Sequence, residues 1–319
     1  SATIIGVDAT PIDVEVSLTG SFPSFDIVGL AEQSVREARV RVRSGTREQK
    51  LAFPDRRIIV NIGPAELKKE GTFYDLPIAL AIQAELGEFP AGALDGWVVI
   101  GELSFGGEAR QVRGVLAVAE MVAKLGLKGI ICASQNAVEA SLAGVEVHHG
   151  NSLGEIFDSL KSGVWPEVFV RQDSDYYPGR MPCFSDVRGQ IVAKRAMEIA
   201  AAGGHNVHLS GTPGCGKTML ARRLPTIMPP LDDAEAMQVT KIYSVAGLLP
   251  RGVGLMRTRP FRAPHHTGSV VSLLGGGTTP RPGEVTLAHG GVLFLDETPE
   301  FPRVVLDSLG DALFHGEVS

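Results

Sequence analysis

Gly211-Thr212-Pro213-Gly214-Cys215-Gly216-Lys217-Thr218 matches, residue for residue, the spacing Gly, four residues, Gly-Lys-Thr of a phosphate-binding loop. Asn206-Val207-His208-Leu209-Ser210 ahead of it predicts a short buried strand, and Met219 to Leu224 behind it a helix, the context this loop requires. Gly211, Gly214 and Gly216 permit the crowded or positive dihedrals that aim successive N–H groups at phosphate oxygens, and the helix N-terminus adds partial positive charge. The pattern therefore predicts a site for ATP along Gly211, Thr212, Pro213, Gly214, Cys215, Gly216, Lys217 and Thr218. Lys217 is expected to reach the β and γ phosphates, and Thr218 to offer its hydroxyl to the Mg2+ that arrives with the nucleotide. Cys215 is a variable position of the loop.

A second half follows at Gly291-Val292-Leu293-Phe294-Leu295-Asp296-Glu297, an apolar run closing on two carboxylates. Four consecutive apolar residues predict a central parallel strand buried on both faces. Asp296 at its end is placed to hold Mg2+ through water, with Thr218 as the other oxygen donor. Glu297 is placed to orient the attacking water, so Glu297 and Lys217 are the candidate catalytic residues of a nucleotide hydrolase.

With 319 residues, 44% of them hydrophobic, the chain is large enough for two cores. No apolar run reaches the length of a membrane span and Ser1 to Gly6 lacks the features of a secretory signal, so a cytoplasmic protein is expected. Cys132, Cys183 and Cys215 lie too far apart to suggest a disulfide framework or a zinc site. The net charge of −6 argues against a uniformly basic nucleic-acid binder. Residues 236–283 nevertheless contain no Asp or Glu, while Lys241, Arg251, Arg257, Arg259, Arg262 and Arg281 supply six cations beside His265 and His266. That stretch is a candidate DNA footprint; its cations pairing with acids elsewhere, or facing a neighbouring subunit, is the other reading. Adjacent histidines without a nearby carboxylate or thiol do not form a zinc site.

Residues 1–165 predict an α+β domain. Strands are expected at Ile12–Leu18, Ser24–Leu30, Arg57–Ile62, Trp97–Leu103 and Gly129–Cys132, and helices at Leu76–Ala84, Val115–Leu125 and Ala137–Leu142. Arg36, Arg39, Arg43 and Arg47 recur at helical spacing opposite Val35, Ala38 and Val42, a stripe that either touches phosphates or is simply solvated. Residues 166–184, with Pro166, Pro178, Gly179 and Pro182, predict a linker. Residues 185–319 form the nucleotide-binding α/β domain, opening on Phe184 to Gln190 and a helix from Ile191 to Ala202.

Two resemblances follow from these residues. Ser24 to Gln33, Lys68-Lys69-Glu70-Gly71, Asp75-Leu76-Pro77-Ile78-Ala79 and Gly101-Glu102-Leu103 resemble the ribosomal-S5-domain-2-like fold that ends Lon proteases. In that family a Ser-Lys dyad cleaves peptides; here the serine position is Phe73 and the lysine position Leu116, so the resemblance implies a non-proteolytic scaffold or DNA-interacting platform. Phe184 to Gln190, Gly203-Gly204-His205-Asn206, Ser244 to Leu249, Pro260-Phe261-Arg262-Ala263-Pro264-His265-His266-Thr267, Arg281-Pro282-Gly283-Glu284 and Leu295-Asp296-Glu297 resemble the YifB/ComM family of magnesium-chelatase-like AAA+ ATPases. The resemblance implies a hexameric ATPase of the helix-2-insert clade that uses ATP and Mg2+, with DNA as partner and no membrane. Competence members of the family are branch-migration helicases, whereas a chelatase-type motor would instead remodel a protein. Thr298 and Gly310 depart from the Leu and Arg usual in the family. Its sensors, arginine finger and helical lid are expected beyond Ser319, so the sequence is expected to be either a cut piece of a longer member or a naturally shortened one, poor in hydrolysis and weak in ring formation.

Overall fold

Alternating apolar and polar side chains build the first sheet of the chain. The computed structural model describes residues 1–20, 22–69, 71–90, 92–168, 176, 182–250, 252–277 and 280–315. The chain divides into two compact units, Ser1–Ser174 with Gly247–Gly254, and Asp175–Ala246 with Leu255–Ser319.

In the first unit β1 (Ala2–Ile5) and β2 (Asp8–Pro11) form an antiparallel hairpin. β3 (Asp13–Thr19), β4 (Ser24–Val28) and β5 (Arg57–Gly63) form a sheet in the order β3-β5-β4, with β3 antiparallel and β4 parallel to β5. Ile58, Val60 and Ile62 of β5 are buried while Arg57 and Asn61 face solvent, the period of two that its sequence carries. α1 (Gln33–Arg36), α2 (Ala38–Glu48) and α3 (Asp75–Glu85) accompany this sheet. Leu76, Ile78, Ala79, Leu80 and Ile82 of α3 are all buried, so this helix is enclosed by the core.

The chain continues through β6 (Trp97–Val99), β7 (Glu102–Leu103), β8 (Ala109–Arg110), α4 (Val115–Leu125), β9 (Gly129–Ala133), α5 (Ala137–Ser141), β10 (Glu146–Gly150) and α6 (Leu153–Ser162). Strands β10, β9 and β6 form a parallel sheet in that order. All five residues of β9 are buried, Ile131 and Ala133 in one core and Ile130 and Cys132 in the other, as a parallel strand covered on both faces requires.

The single strand expected from Trp97 to Leu103 is two. Gly101, at φ 158°, sends its N–H to Phe73 O and accepts from Leu76 N, both at 3.0 Å, so its backbone bonds go to the start of α3 and not to a strand. A Cβ there would stand 3.1 Å from Leu76 Cδ2. Phe73 is half-buried, and Leu116 is fully buried with its N–H donating to Glu139 Oε1 at 2.9 Å. Those are the positions at which the Lon-like dyad would stand.

His148 on β10 lies between Trp97 and Trp165, with ring centroids 4.0 and 4.2 Å away, and its Nε2 is 3.0 Å from Glu146 Oε1. Burial pushes the imidazole below its ordinary value, against the opposing pull of Glu146. The folded chain therefore resists a proton that the unfolded chain accepts, so this group's contribution to stability falls as pH drops through about 6.5. The chain has only these two tryptophans, and a protonated imidazole quenches a stacked indole. Tryptophan emission is expected to titrate with a midpoint below about 6.5. A midpoint at or above that value would show that the Glu146 carboxylate outweighs burial.

The second unit comprises α7 (Ile191–Gly203), α8 (Lys217–Ala221), α9 (Asp233–Ala246), β11 (Phe261–Arg262), α10 (Val270–Leu274), β12 (Gly275–Gly276), β13 (Arg281–Pro282), α11 (Glu284–Leu287), β14 (Val292–Leu293) and α12 (Arg303–His315). β11 and β14 pair in parallel, Phe261 with Val292 and Arg262 with Leu293, while β12 and β13 form a short antiparallel ribbon. Both units are thus mixed α/β with parallel pairing.

Two expectations are corrected here. Residues 206–210 are not a buried strand: Leu209 alone is half-buried, the other four are exposed, and no described strand pairs with the segment. A strand is defined by its ladder, and apolar content without a neighbour does not make one. The run from Gly291 to Leu295 is half-buried throughout and contributes only two residues to pairing, because β11 is its one described neighbour. The predicted linker lies largely outside the described residues, in 169–175 and 177–181.

Candidate functional site

Phe184, Val187, Met197 and Leu220 form a small core that ties the Phe184–Gln190 segment and α7 to the helix behind the loop. Gln190, at φ 51°, turns the chain into α7, and its Nε2 donates to Cys215 O at 3.1 Å. The segment ahead of the helix thus holds the backbone of the phosphate loop directly. Arg223 fastens the other side, donating through Nε to Cys183 O at 3.0 Å and standing 3.8 Å from Asp186 Oδ2. Sequence reasoning did not single out Arg223; its only signal was a basic pair, Arg222-Arg223, closing the helix.

Within the loop, Gly214 (φ 78°) and Gly216 (φ 95°) take left-handed conformations that a side chain would strain. Gly216 caps α8, whose first two residues are Lys217 and Thr218. The helix is shorter than expected: it ends at Ala221, and a tight turn from Leu224 to Thr226 follows. Lys217 Nζ donates to Gly211 O at 2.9 Å and Thr212 O at 3.2 Å, and lies 3.9 Å from Cys215 Sγ. Its ammonium therefore stands over the mouth of the loop, where phosphate oxygens would replace carbonyl oxygens as acceptors. Thr212 and Pro213 complete the exposed rim.

Thr218 and Asp296, 78 residues apart in sequence, meet across the site: the hydroxyl donates to Asp296 Oδ2 at 3.0 Å. Two oxygen donors at this separation, both open to solvent-side ligands, suit a hard cation that keeps most of its shell as water and phosphate. No group of three or more His, Cys, Asp or Glu among the described residues forms a self-sufficient metal cage. Mg2+ brought by a nucleotide is the cation this pair fits.

Glu297 follows in a left-handed conformation, φ 55° and ψ 47°, which is uncommon outside glycine and asparagine and costs of order 1–3 kcal/mol. The turn swings its carboxylate to 3.7 Å from His266 Nδ1. His266 in turn meets Phe301 edge-on at 6.3 Å and His265 at 4.2 Å, while His265 Nδ1 pairs with Thr267 Oγ1 at 2.8 Å. The structure thus places His266 beside the acidic pair, a role that its membership in a cation-rich stretch did not reveal.

The other cations of that stretch are largely engaged. Arg262 holds Glu284 through two contacts of 2.6 Å, and Glu284 raises its already high pKa further. Arg259 meets Glu235 at 3.1 Å and the carbonyls of Pro229, Pro230 and Gly290. Arg257 meets Asp233 at 2.5 Å. Lys241 has an interaction partner, Arg281 is exposed on β13, and Arg251 lies outside the described residues. The partner acids sit at 233, 235 and 284, immediately outside the carboxylate-free window. These pairs tie the segment ahead of β11 to α9, and β11 to α11.

Comparison with known proteins agrees with this geometry. The profile for magnesium chelatase subunit ChlI matches residues 183–319, and a second profile for the ChlI subunit of Mg-chelatase matches residues 14–136. The chain is 41% identical to the uncharacterized protein YifB of Salmonella typhimurium over 315 residues, 98% of this chain and 62% of the relative. It is 41% identical to competence protein ComM of Haemophilus influenzae over 326 residues, 100% of this chain and 63% of the relative. Lon protease 2 of Bacillus subtilis is 29% identical over 142 residues, 41% of this chain and 25% of the relative. The chain spans about 62% of the length of the YifB relative that it matches. No helix among the described residues is long and apolar enough to cross a membrane. A Lon-like α+β part followed by an AAA+ α/β part built on the Gly211–Thr218 loop places this chain in the YifB/ComM family of magnesium-chelatase-like AAA+ proteins.

Proposed function

We propose that this chain carries the nucleotide-binding machinery of an ATP-driven motor that acts on DNA. The observation that carries the ATPase reading is the Thr218–Asp296 contact of 3.0 Å, with Glu297 next in sequence. Lys217 and the loop from Gly211 to Thr218 bind the phosphates, Thr218 and Asp296 hold the cation, and Glu297 orients the attacking water. The bound Mg2+ would supply neutralisation of charge on the β and γ phosphates. His266 acts as a positioning residue that steadies the Glu297 carboxylate. Residues 1–165 serve as a non-proteolytic platform, and the working assembly is a hexamer in which neighbouring subunits complete each site.

The DNA part of the reading is supported by the cation-rich stretch and by the family, whose members include a competence protein. Of that stretch, Arg281 and His265 are exposed and stand as its strand contacts, whereas Lys241 and His266 already have partners and Arg251 lies outside the described residues. The pairing of Arg257, Arg259 and Arg262 with carboxylates favours the second reading, a chelatase-type motor that remodels a protein. Glu297→Gln is expected to retain Mg-ATP binding while steady-state turnover falls by about a hundredfold or more. Equal turnover would remove Glu297 from the chemistry. DNA affinity of the unmodified protein is expected to fall linearly in the logarithm of salt concentration. A protein that does not bind DNA in low salt, or binds it without salt dependence, is a remodeller.

A further inference from the structure

The described residues of the first unit include a row of arginines without carboxylate partners. Arg39, Arg43 and Arg47 project from α2 at intervals of four, so their side chains share one line with a rise of about 6 Å between them. All three are exposed, and none has a carboxylate partner among the described residues. Burial of Ala38, Val42, Gly45 and Thr46 on the opposite side fixes the face they present. Arg36 extends the line on α1, spending only its Nε on Ala31 O at 3.1 Å.

Two contiguous cavities run along this line between α2 and the edge strand β4. One, of about 520 Å3, is lined by Phe25, Arg39, Val40, Arg43, Ser44, Arg47 and Glu48. The other, of about 440 Å3, is lined by Asp26, Ile27, Val28, Arg36, Arg39 and Arg57. Arg39 belongs to both and joins them into one groove. Within the groove Asp26 neutralises Arg57 at 3.0 Å, and Glu48 is the one other acid. The guanidiniums of Arg43 and Arg47 lie 5.6 and 5.9 Å from the centroid of the Phe53 ring, which itself packs on Phe25 at 6.3 Å. Aromatic support orders these two arginines without neutralising them, so their N–H groups remain available to an anion.

A row of evenly spaced guanidiniums with an aromatic and apolar floor is the arrangement that tracks a single nucleic-acid strand: cations follow the phosphates and bases lie on apolar side chains. We infer that the α2–β4 groove binds the phosphate backbone of single-stranded DNA through Arg36, Arg39, Arg43 and Arg47. The inference rests on the DNA reading above and moves a main contact from the paired cations of the second unit to the first. An acidic protein segment is the competing occupant. The aromatic and apolar floor of Phe25 and Phe53 favours a strand whose bases can lie over it.

The test measures binding of a fluorescent 30-residue oligothymidylate over a range of salt to the protein and to its Arg39→Glu, Arg43→Glu variant. Loss of two phosphate contacts should weaken binding at least tenfold and reduce the salt slope by about 1.4, at about 0.7 per contact for single strands. The milder Arg39→Gln, Arg43→Gln pair should show the same slope change, with unaltered circular dichroism and unaltered Mg-ATP binding. Slopes that do not change while the unmodified protein binds the oligonucleotide overturn the groove and leave the DNA reading intact. An unmodified protein without affinity for the oligonucleotide overturns both. Displacement of the oligonucleotide by polyglutamate at equal charge concentration would assign the groove to an acidic protein and overturn the inference.

Discussion

Lys217→Ala abolishes measurable binding of Mg-ATP. The ammonium stands over the loop on the carbonyls of Gly211 and Thr212, the place from which it would meet phosphate oxygens. Each hydrogen bond to a charged group contributes about 1.5–3 kcal/mol, and Lys217 would make at least two of them to the β and γ phosphates. Their joint loss exceeds about 3 kcal/mol, which is more than a hundredfold in the dissociation constant. The loop itself should survive: Gly214 and Gly216 set its turns, and Gln190 holds Cys215 O independently of the lysine. Titration calorimetry with Mg-ATP, alongside thermal unfolding to confirm the fold, measures the effect. An affinity within threefold of the unmodified protein would show that the phosphates sit elsewhere.

Why the loop was legible in the sequence and much around it was not has a physical explanation. Gly214, Gly216, Lys217 and Thr218 act through local backbone geometry, so eight consecutive residues carry the information. The same holds for β3 and β5 and for α4, where Val115 and Leu125 bound the helix as expected. Pairing is not local. Asn206–Ser210 has the composition of a strand and lacks the ladder, while the β1–β2 hairpin, β10 and α6 formed where no expectation stood. Gly101 broke a strand because its backbone bonds were taken by Phe73 and Leu76, about 25 residues earlier. The cation-rich stretch shows the same limit of local reading. A window without carboxylates from 236 to 283 appeared unneutralised, yet Glu235 and Glu284 stand one residue outside it and fold back onto Arg259 and Arg262. The arginine stripe of α2, read as either phosphate-contacting or solvated, is the one without carboxylate partners among the described residues.

Asp75→Ala unfolds the first unit or brings it close to unfolding. Asp75 is the first residue of α3 and has no exposed side-chain surface; it accepts from Arg41 Nε at 2.6 Å, Arg41 Nη2 at 3.0 Å and Leu103 N at 3.1 Å. Arg41 Nη2 also donates to Ser34 O at 3.2 Å, so one carboxylate fixes α2, α3 and β7 and, through its partner, α1. Burial pushes this carboxyl above the usual carboxylate range, against the pull of Arg41 and the Leu103 N–H. Removing the acid strands a guanidinium whose side chain is 16% exposed and a buried N–H, a defect that costs about 3–5 kcal/mol in comparable buried pairs. Typical domains hold about 5–15 kcal/mol in total, so the loss is a large share of it. Urea unfolding followed by circular dichroism measures it as a lowered midpoint at constant slope. The pair need not be worth that much relative to an apolar contact, because both charges were desolvated to form it. Arg41→Leu combined with Asp75→Leu is therefore expected to be more stable than either single substitution. Stability losses that simply add, or an Asp75→Ala midpoint equal to that of the unmodified protein, would show that the contact does not hold α2 to α3.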